Sequence, residues 1–464
     1  MHLSTSCDDA LGNHDTTALR EELAAGRVSK RELTEAALLR LKVADRLNAV
    51  VTMLDTPDDL DGPYAGIPTF IKDNENITGY PTRFGSRTTP EAPVRHDSLW
   101  VGQWRELGFA TMGKTTLPEF GLTATTECLL TGATRNPWNL DHIVGGSSGG
   151  SAALVAAGVV PIAHANDGGG SVRIPAACCG LVGLKASRGR LIEPEAMEQM
   201  PVKIVTQGVV TRSVRDTVAF YADMARIHPN DLPPIGPTKD PQRLRIGLMT
   251  TGVNGLPVDP DVVASLEATA RVLEDLGHIV EPIQNPFGDQ IAQDFLRYWG
   301  MLAFSLYRFG GQVFGKDFDA KRMEPFGRSL GKFFSSVAVS LPASLRRLRR
   351  FPQVYDDALG PFHVLLSPTL ATPPPRIGYL GPDVDPHEHL IRLLRFASFT
   401  ALQNVSGAPA ISLPLGMSPT GLPIGMHFAA RTGQDQLLLD LAASLETSVG
   451  WATPKPAPGV TPSA

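Results

Sequence analysis

The residues best suited to chemistry lie between Ile143 and Gly183. This stretch opens on Gly145-Gly146-Ser147-Ser148-Gly149-Gly150 and closes around Asp167-Gly168-Gly169-Gly170-Ser171-Val172-Arg173. Each glycine gives up more backbone freedom on folding than any other residue. Such density makes sense where the backbone must come close to something or turn its amides inward. Between the clusters, Ala152 to Val160 is an apolar, alanine-rich run of helix-forming character. A glycine loop feeding a buried helix, then a second glycine loop ending in a serine, would let a hydrolase bring hydroxyls and backbone donors to one point. The first cluster alone would pass for a flexible linker, but a linker does not abut a buried helix. A phosphate-cradling loop needs a lysine followed by Ser or Thr after its last glycine. Here Gly150 is followed by Ser151-Ala152, which excludes it.

A further reactive group stands at a strand end. Ala65 to Asn74 reads as a strand, and Lys72 follows the apolar Thr69-Phe70-Ile71. Lys72 is either a charge reaching for water or a functional amine, and within this segment the solvated charge is the simpler reading. The elements around these residues alternate. Asp15 is a good N-cap for a helix carrying Leu19 and Leu23 and ended by Gly26, and Ser29-Lys30-Arg31-Glu32 has the form of a capping box ahead of Leu33, Ala36, Ala37 and Leu41. Asn48 to Met53 reads as a buried strand. Residues 98–113 read as a helix running into a strand, and 125–139 as a long irregular passage of the kind that shapes a pocket. Val209 to Val214 is expected to open a helix reaching Ile227, and 230–241 is a loop rich in Pro and Asp.

Residues 243–282 form a β-α-β unit, with Asp259-Pro260 capping a helix whose apolar face is Val263, Leu266, Ala270 and Leu273. Parallel strands and a right-handed crossover follow. From 290 to 360 the chain is aromatic and basic, and Arg346-Arg347-Leu348-Arg349-Arg350 reads as a solvated helix face. Val364 to Thr369 is a buried strand. Thr400–Asn404 is a helix, Gly407–Pro414 a strand, Gly421–Phe428 its hairpin partner, and Gln434–Leu445 the last helix, before a frayed tail from Pro454. Strands alternating with helices throughout predict a layered α/β architecture.

Composition bounds the rest. The 464 residues can bury a large core, and a net charge of −5 gives no reason to expect nucleic acid or an anionic membrane as partner. The four cysteines, Cys7, Cys128 and the adjacent Cys178 and Cys179, form no Cys-x-x-Cys pair, so neither zinc nor redox work is suggested. Reduced buried thiols favour a cytosolic setting. The N-terminus has no basic start followed by an apolar run, so it does not read as a secretory signal. No apolar run reaches the roughly 18–20 residues of a membrane span. A soluble, cytoplasmic protein is therefore expected.

With Lys72, Ser147 and Ser171 in view, the pattern resembles the amidase signature family. The matching segments are Gly66-Ile67-Pro68 through Lys72-Asp73, Gly132 through Trp138, Gly145 through Ser151, Asp167 through Pro175, Cys179 through Lys185, and Asn404 to Pro414. They cover about residues 15–225 and 360–447 in order, with 230–360 unmatched apart from the β-α-β unit. The resemblance implies a large mixed sheet covered by helices on both faces, in one domain over 15–455 with a variable, substrate-facing region at about 230–360. It implies a Ser-cisSer-Lys triad: Ser171 as nucleophile, Ser147 as the bridging serine behind a cis peptide bond, and Lys72 as base. This reverses the simpler reading of Lys72. The amides of Gly168, Gly169, Gly170 and Ser171 would form an oxyanion hole. Asp167 and Arg173 would support the loop as a pair, Ser148 would do no more than support, and Cys128 would lie among the loops that choose substrate. A small-molecule amide is the expected partner, without metal or cofactor, and a homodimer is left open. The implied activity is hydrolysis of a carboxamide. The alternatives are the glutaminase subunit of a tRNA-dependent amidotransferase and a non-catalytic binding protein on the same scaffold.

Overall fold

The computed structural model describes residues 2–55, 60–252 and 255–452. The tail from Pro454 lies outside them. The chain opens with α1 (Thr16–Ala24), whose N-cap Asp15 accepts from the Ala18 amide, and α2 (Lys30–Val43), whose capping box between Ser29 and Glu32 is complete in both directions. Three strands follow: β1 (Val50–Met53), β2 (Pro68–Lys72) and, after α3 (Leu99–Glu106), β3 (Ala110–Thr115). They form a small sheet in the order β1-β3-β2. The β1 segment was expected to be buried, but it takes the edge and is half-buried at most positions, with Met53 exposed. β2, by contrast, is buried at every position.

The irregular passage carries four short strands, β4 (Glu127–Cys128), β5 (Gly132–Ala133), β6 (Arg135–Asn136) and β7 (Asn139–Ile143), paired as two ribbons. The first glycine cluster then feeds α4 (Gly149–Ala156), all of whose residues are buried. Its glycines permit close packing. A Cβ on Gly149 would lie 2.1 Å from Thr126 Oγ1, and one on Gly150 would lie 2.5 Å from Thr116 Oγ1. The backbone therefore approaches its neighbours more closely than any side chain would allow.

β8 (Ile162–Asp167), α5 (Arg173–Cys179), β9 (Val182–Lys185) and β10 (Thr206–Thr211) come next. Val209 to Thr211 thus ends a strand, where a helix start was expected. β10 pairs antiparallel with both β8 and β9, and β-branched side chains suit a doubly buried strand. The helix α6 (Val214–Ile227) begins only after Ser213, whose side chain caps it. β11 (Arg245–Met249), α7 (Pro260–Asp275) and β12 (Ile279–Ile283) form the β-α-β unit, with β11 and β12 parallel.

The 290–360 region is helical: α8 (Gln290–Phe314), α9 (Pro325–Val337) and α10 (Leu341–Leu359). Arg346, Arg349 and Arg350 are exposed as expected, whereas Arg347 reaches 2.5 Å from the buried carboxylate of Asp294. The chain closes with β13 (Val364–Pro368), α11 (Pro386–Phe396), α12 (Ala401–Ser406), β14 (Ala410–Met417), β15 (Pro423–Ala429) and α13 (Asp435–Val449).

Eight strands make the main mixed sheet in the order β12-β11-β13-β15-β14-β9-β10-β8, flanked by helices. The largest apolar cluster runs through β8, β9, β10, β14 and β15 and the buried faces of α4, α5 and α13. The loops carrying Ser147 and Ser171 leave from this cluster, so the least deformable part of the molecule positions them. No helix among the described residues is long and apolar enough to cross a membrane.

Candidate active site

Lys72 ends β2 beside β8. Its backbone N–H donates to His164 Nδ1 at 3.1 Å, and its side chain is 1% exposed. His164 Nε2 meets Gln207 Oε1 at 3.0 Å, and Gln207 in turn donates to Glu75 Oε1 at 2.8 Å. Because Nδ1 accepts, the His164 proton sits on Nε2. Burial pushes this imidazole down to about 3, so it is a neutral strut under the strand end.

The Lys72 ammonium nitrogen has three oxygen partners: Ser147 Oγ at 2.7 Å, Ser148 Oγ at 2.9 Å and Asn166 Oδ1 at 2.6 Å. Burial lowers its proton affinity to about 7, against the opposing pull of the Asp167 and Glu75 carboxylates. Removing an ammonium from water penalises its charged form, and here that penalty dominates. The Gly146–Ser147 peptide bond is cis. Ser148, to which the resemblance gives only a supporting part, touches the lysine directly.

Ser171 lies between β8 and α5 and lines the same cavity as Lys72, Ser147, Asn166, Gly168 and Gly169. The hydrogen-bonded chain runs from Lys72 to Ser147; no Ser147–Ser171 hydrogen bond occurs among the described residues. Ser147 Oγ accepts from the ammonium of Lys72; with the amine neutral, the same short contact can run the other way, from the Ser147 hydroxyl to Nζ.

The loop between β8 and α5 is tied to Asp167. Its carboxylate accepts from the amides of Gly170 (2.7 Å) and Val172 (3.1 Å), and pairs with Arg173 at 2.8 Å, both side chains being fully buried. Burial alone would raise this carboxyl, but the Arg173 guanidinium and Asn404 hold it far below the usual range. Arg173 also meets His427 Nε2 at 3.0 Å and Asn404 Oδ1 at 2.7 Å. Two sequence expectations change here. The Gly170 amide is committed to Asp167, so of Gly168, Gly169 and Gly170 only the first two line the cavity. Cys128 is buried in the β4–β5 ribbon, its thiol 3.1 Å from Thr131 Oγ1, and does not line the cavity. An Arg173→Ala variant would leave the Asp167 carboxylate uncompensated, a loss of about 3 kcal/mol or more. Urea unfolding is expected to show that fall, and a change below about 1 kcal/mol would mean the loop is held by its other contacts.

Asn166, His164, Gln207, Glu75 and Asn404 were not recognised as part of this arrangement. One signal was available. His164-Ala165-Asn166 is polar-apolar-polar within a buried strand, and side chains two apart share a face; that face meets Lys72. Among the described residues, no group of three or more His, Cys, Asp or Glu side chains is placed to hold a metal ion.

The family model for amidases matches residues 31–439. The chain is 44% identical over 460 residues to AmiC of Mycobacterium leprae (strain TN), a protein provisionally named as an amidase, covering 96% of this chain and 97% of that one. It is 35% identical over 480 residues to the 6-aminohexanoate-cyclic-dimer hydrolase of Pseudomonas sp. (strain NK87), covering 95% and 96%. The solved structure of a 6-aminohexanoate cyclic dimer hydrolase with its substrate superposes with a TM-score of 0.86 at 32% identity, covering 96% and 98%. With the eight-stranded mixed sheet and a buried lysine beside paired serines, these likenesses lead to one conclusion: the chain belongs to the amidase signature family of amide-bond hydrolases.

Proposed function

We propose that the protein hydrolyses the C–N bond of a small-molecule carboxamide to a carboxylic acid and ammonia or an amine, through an acyl-enzyme on Ser171. One observation carries this reading: a buried lysine with proton affinity near neutrality lies 2.7 Å from Ser147 Oγ, on the cavity that Ser171 also lines. A serine hydroxyl at neutral pH is a poor nucleophile without an adjacent base. Neutral Lys72 takes the Ser147 proton as Ser147 takes that of Ser171, and Ser171 Oγ attacks the amide carbonyl. The amides of Gly168, Gly169 and Ser171 receive the oxyanion. The relay then runs backward to protonate the leaving nitrogen, and water repeats the cycle to release the acid. Residues 15–455 act as one catalytic unit; within it, 56–59, 253–254 and 453–455 lie outside the described residues.

The test is ammonia or amine release from small aliphatic, aryl and cyclic amides and from glutamine, with wild type beside Ser171→Ala. Turnover of simple amides that vanishes in the variant is expected. Turnover of glutamine alone would move the assignment to an amidotransferase subunit, and silence on every amide would favour a binding protein.

Asn166 gives a separate check on the lysine. Its Oδ1 accepts from the amine at 2.6 Å, and a hydrogen bond to a charged group favours the charged form. Asn166→Leu is therefore expected to lower the Lys72 proton affinity and move the acidic limb of kcat/KM down by about one pH unit. An unmoved limb would show that Asn166 leaves the lysine's protonation alone.

A further inference from the structure

We infer that the scissile amide carries a long, unbranched apolar chain, and that this chain lies along α8; the inference rests on the amidase reading of Ser171. The cavity holding Ser171 has a volume of about 1420 Å³, above the roughly 300–1,000 Å³ of ordinary small-molecule pockets. Its length comes from α8, which presents Phe295, Trp299, Leu302, Leu306, Phe309 and Val313 to the cavity. Their spacing of four, three, four, three and four residues is one continuous helix face, about 27 Å long at 1.5 Å per residue.

Phe295, Trp299, Leu302 and Leu306 are half-buried, packed in part against the core, and at the outer end Phe309 and Val313 are 45% and 72% exposed. Both flanks of the stripe are packed, Asp294 and Tyr298 being buried on one side and Gly300 and Ala303 on the other. One end of the stripe stands over the reacting centre: Phe295 Cζ lies 3.5 Å from where a Gly169 Cβ would sit. Near the far end, the Phe314 ring lies 5.2 Å from Phe84 and 5.8 Å from Phe120. Leu122, Ile204 and Val205 add to the apolar lining, while Arg95, Glu193, Glu195 and Lys316 line other parts of the cavity. Apolar surface held open to water is unfavourable in proportion to its area. A compact amide at Ser171 would leave the outer part of this face wet, whereas an extended alkyl chain attached at the carbonyl or the nitrogen would cover it while the amide meets Ser171.

Two homologous series test this: primary alkanamides from acetamide through butanamide and octanamide to dodecanamide, and N-alkyl acetamides of matching length. In at least one series kcat/KM is expected to rise about three- to fourfold per added methylene until the slot is filled. Which series rises shows whether the chain belongs to the acid or the amine. Leu306→Trp, which narrows the slot, and Leu302→Gln, which wets its wall, are each expected to lower the ratio of kcat/KM for the dodecyl over the butyl member by tenfold or more. Profiles that are flat or falling in both series, or a preference for compact aryl amides over dodecanamide, would overturn the inference and leave the amidase reading standing. No hydrolysis of any amide, acetamide included, would instead overturn the amidase reading.

Discussion

Ser171→Ala is expected to lower kcat for amide hydrolysis by about 10⁶-fold, the scale seen when a serine nucleophile is removed from a preorganised site. The substitution deletes one oxygen at the wall of the cavity. That oxygen has no protein hydrogen-bond partner among the described residues, so unfolding stability should change little and the loss can be assigned to chemistry. Some rate above the uncatalysed reaction should remain, because the amides of Gly168 and Gly169 and the binding cavity stay in place. Single-turnover assays with saturating amide measure this directly. A variant within tenfold of wild type would place the nucleophile elsewhere, and Ser147, which lines the same cavity, would be the next serine to test.

Lys72→Met should cost about 10⁴-fold in kcat/KM, the upper range for a positioned general base. Methionine keeps an apolar stem in the buried channel but cannot take a proton. The pH profile separates this role from a packing defect. In the proposed mechanism the active form is the neutral amine, so wild-type kcat/KM is expected to rise tenfold per pH unit below about 7 and level off above it, and this limb should be missing from the residual activity of Lys72→Met. Stability gives the complementary reading. Lys72 has a folded value of about 7 against an ordinary 10.5. Between those values the unfolded chain binds more protons than the folded one, so stability rises with pH across that window and levels off above it. Lys72→Met should flatten this rise. An unchanged acidic limb in the variant would assign it to another group.

The legible parts of the chain were those whose physics is local. Asp15 and the Ser29–Glu32 box announced α1 and α2 because a capping side chain needs only its own next three residues. Asp259-Pro260 and the apolar periodicity behind it announced α7 for the same reason. The misread elements depend on their neighbours. Val209 to Thr211 resembles the start of the helix that follows it, and becomes strand because β8 and β9 flank it on both sides. Asn48 to Met53 is apolar enough for a core strand, yet it falls at a sheet edge, and nothing within the segment says which edge is left uncovered.

The same division runs through the site. Dense glycine around Ser147 and Ser171 is local and unusual and pointed to those loops by itself. Lys72, by contrast, read within its own segment as a solvated charge, and its role as base, with the parts given to Ser148, Asp167 and Arg173, came from the family resemblance. That resemblance was legible because the matching segments recur in order. Tertiary structure decided which of these groups touch. It brought Lys72 and Asn166, far apart in the chain, to 2.6 Å, committed the Gly170 amide to Asp167, removed Cys128 from the cavity, and turned an apolar stripe of α8 onto the cavity that the serines line. These outcomes depend on pairs of residues separated by long stretches of chain. Hydrogen bonds and desolvation act over a few ångströms of space, whatever the separation in sequence. The residue types were therefore readable in advance, and their partners and proton affinities followed only from the packing.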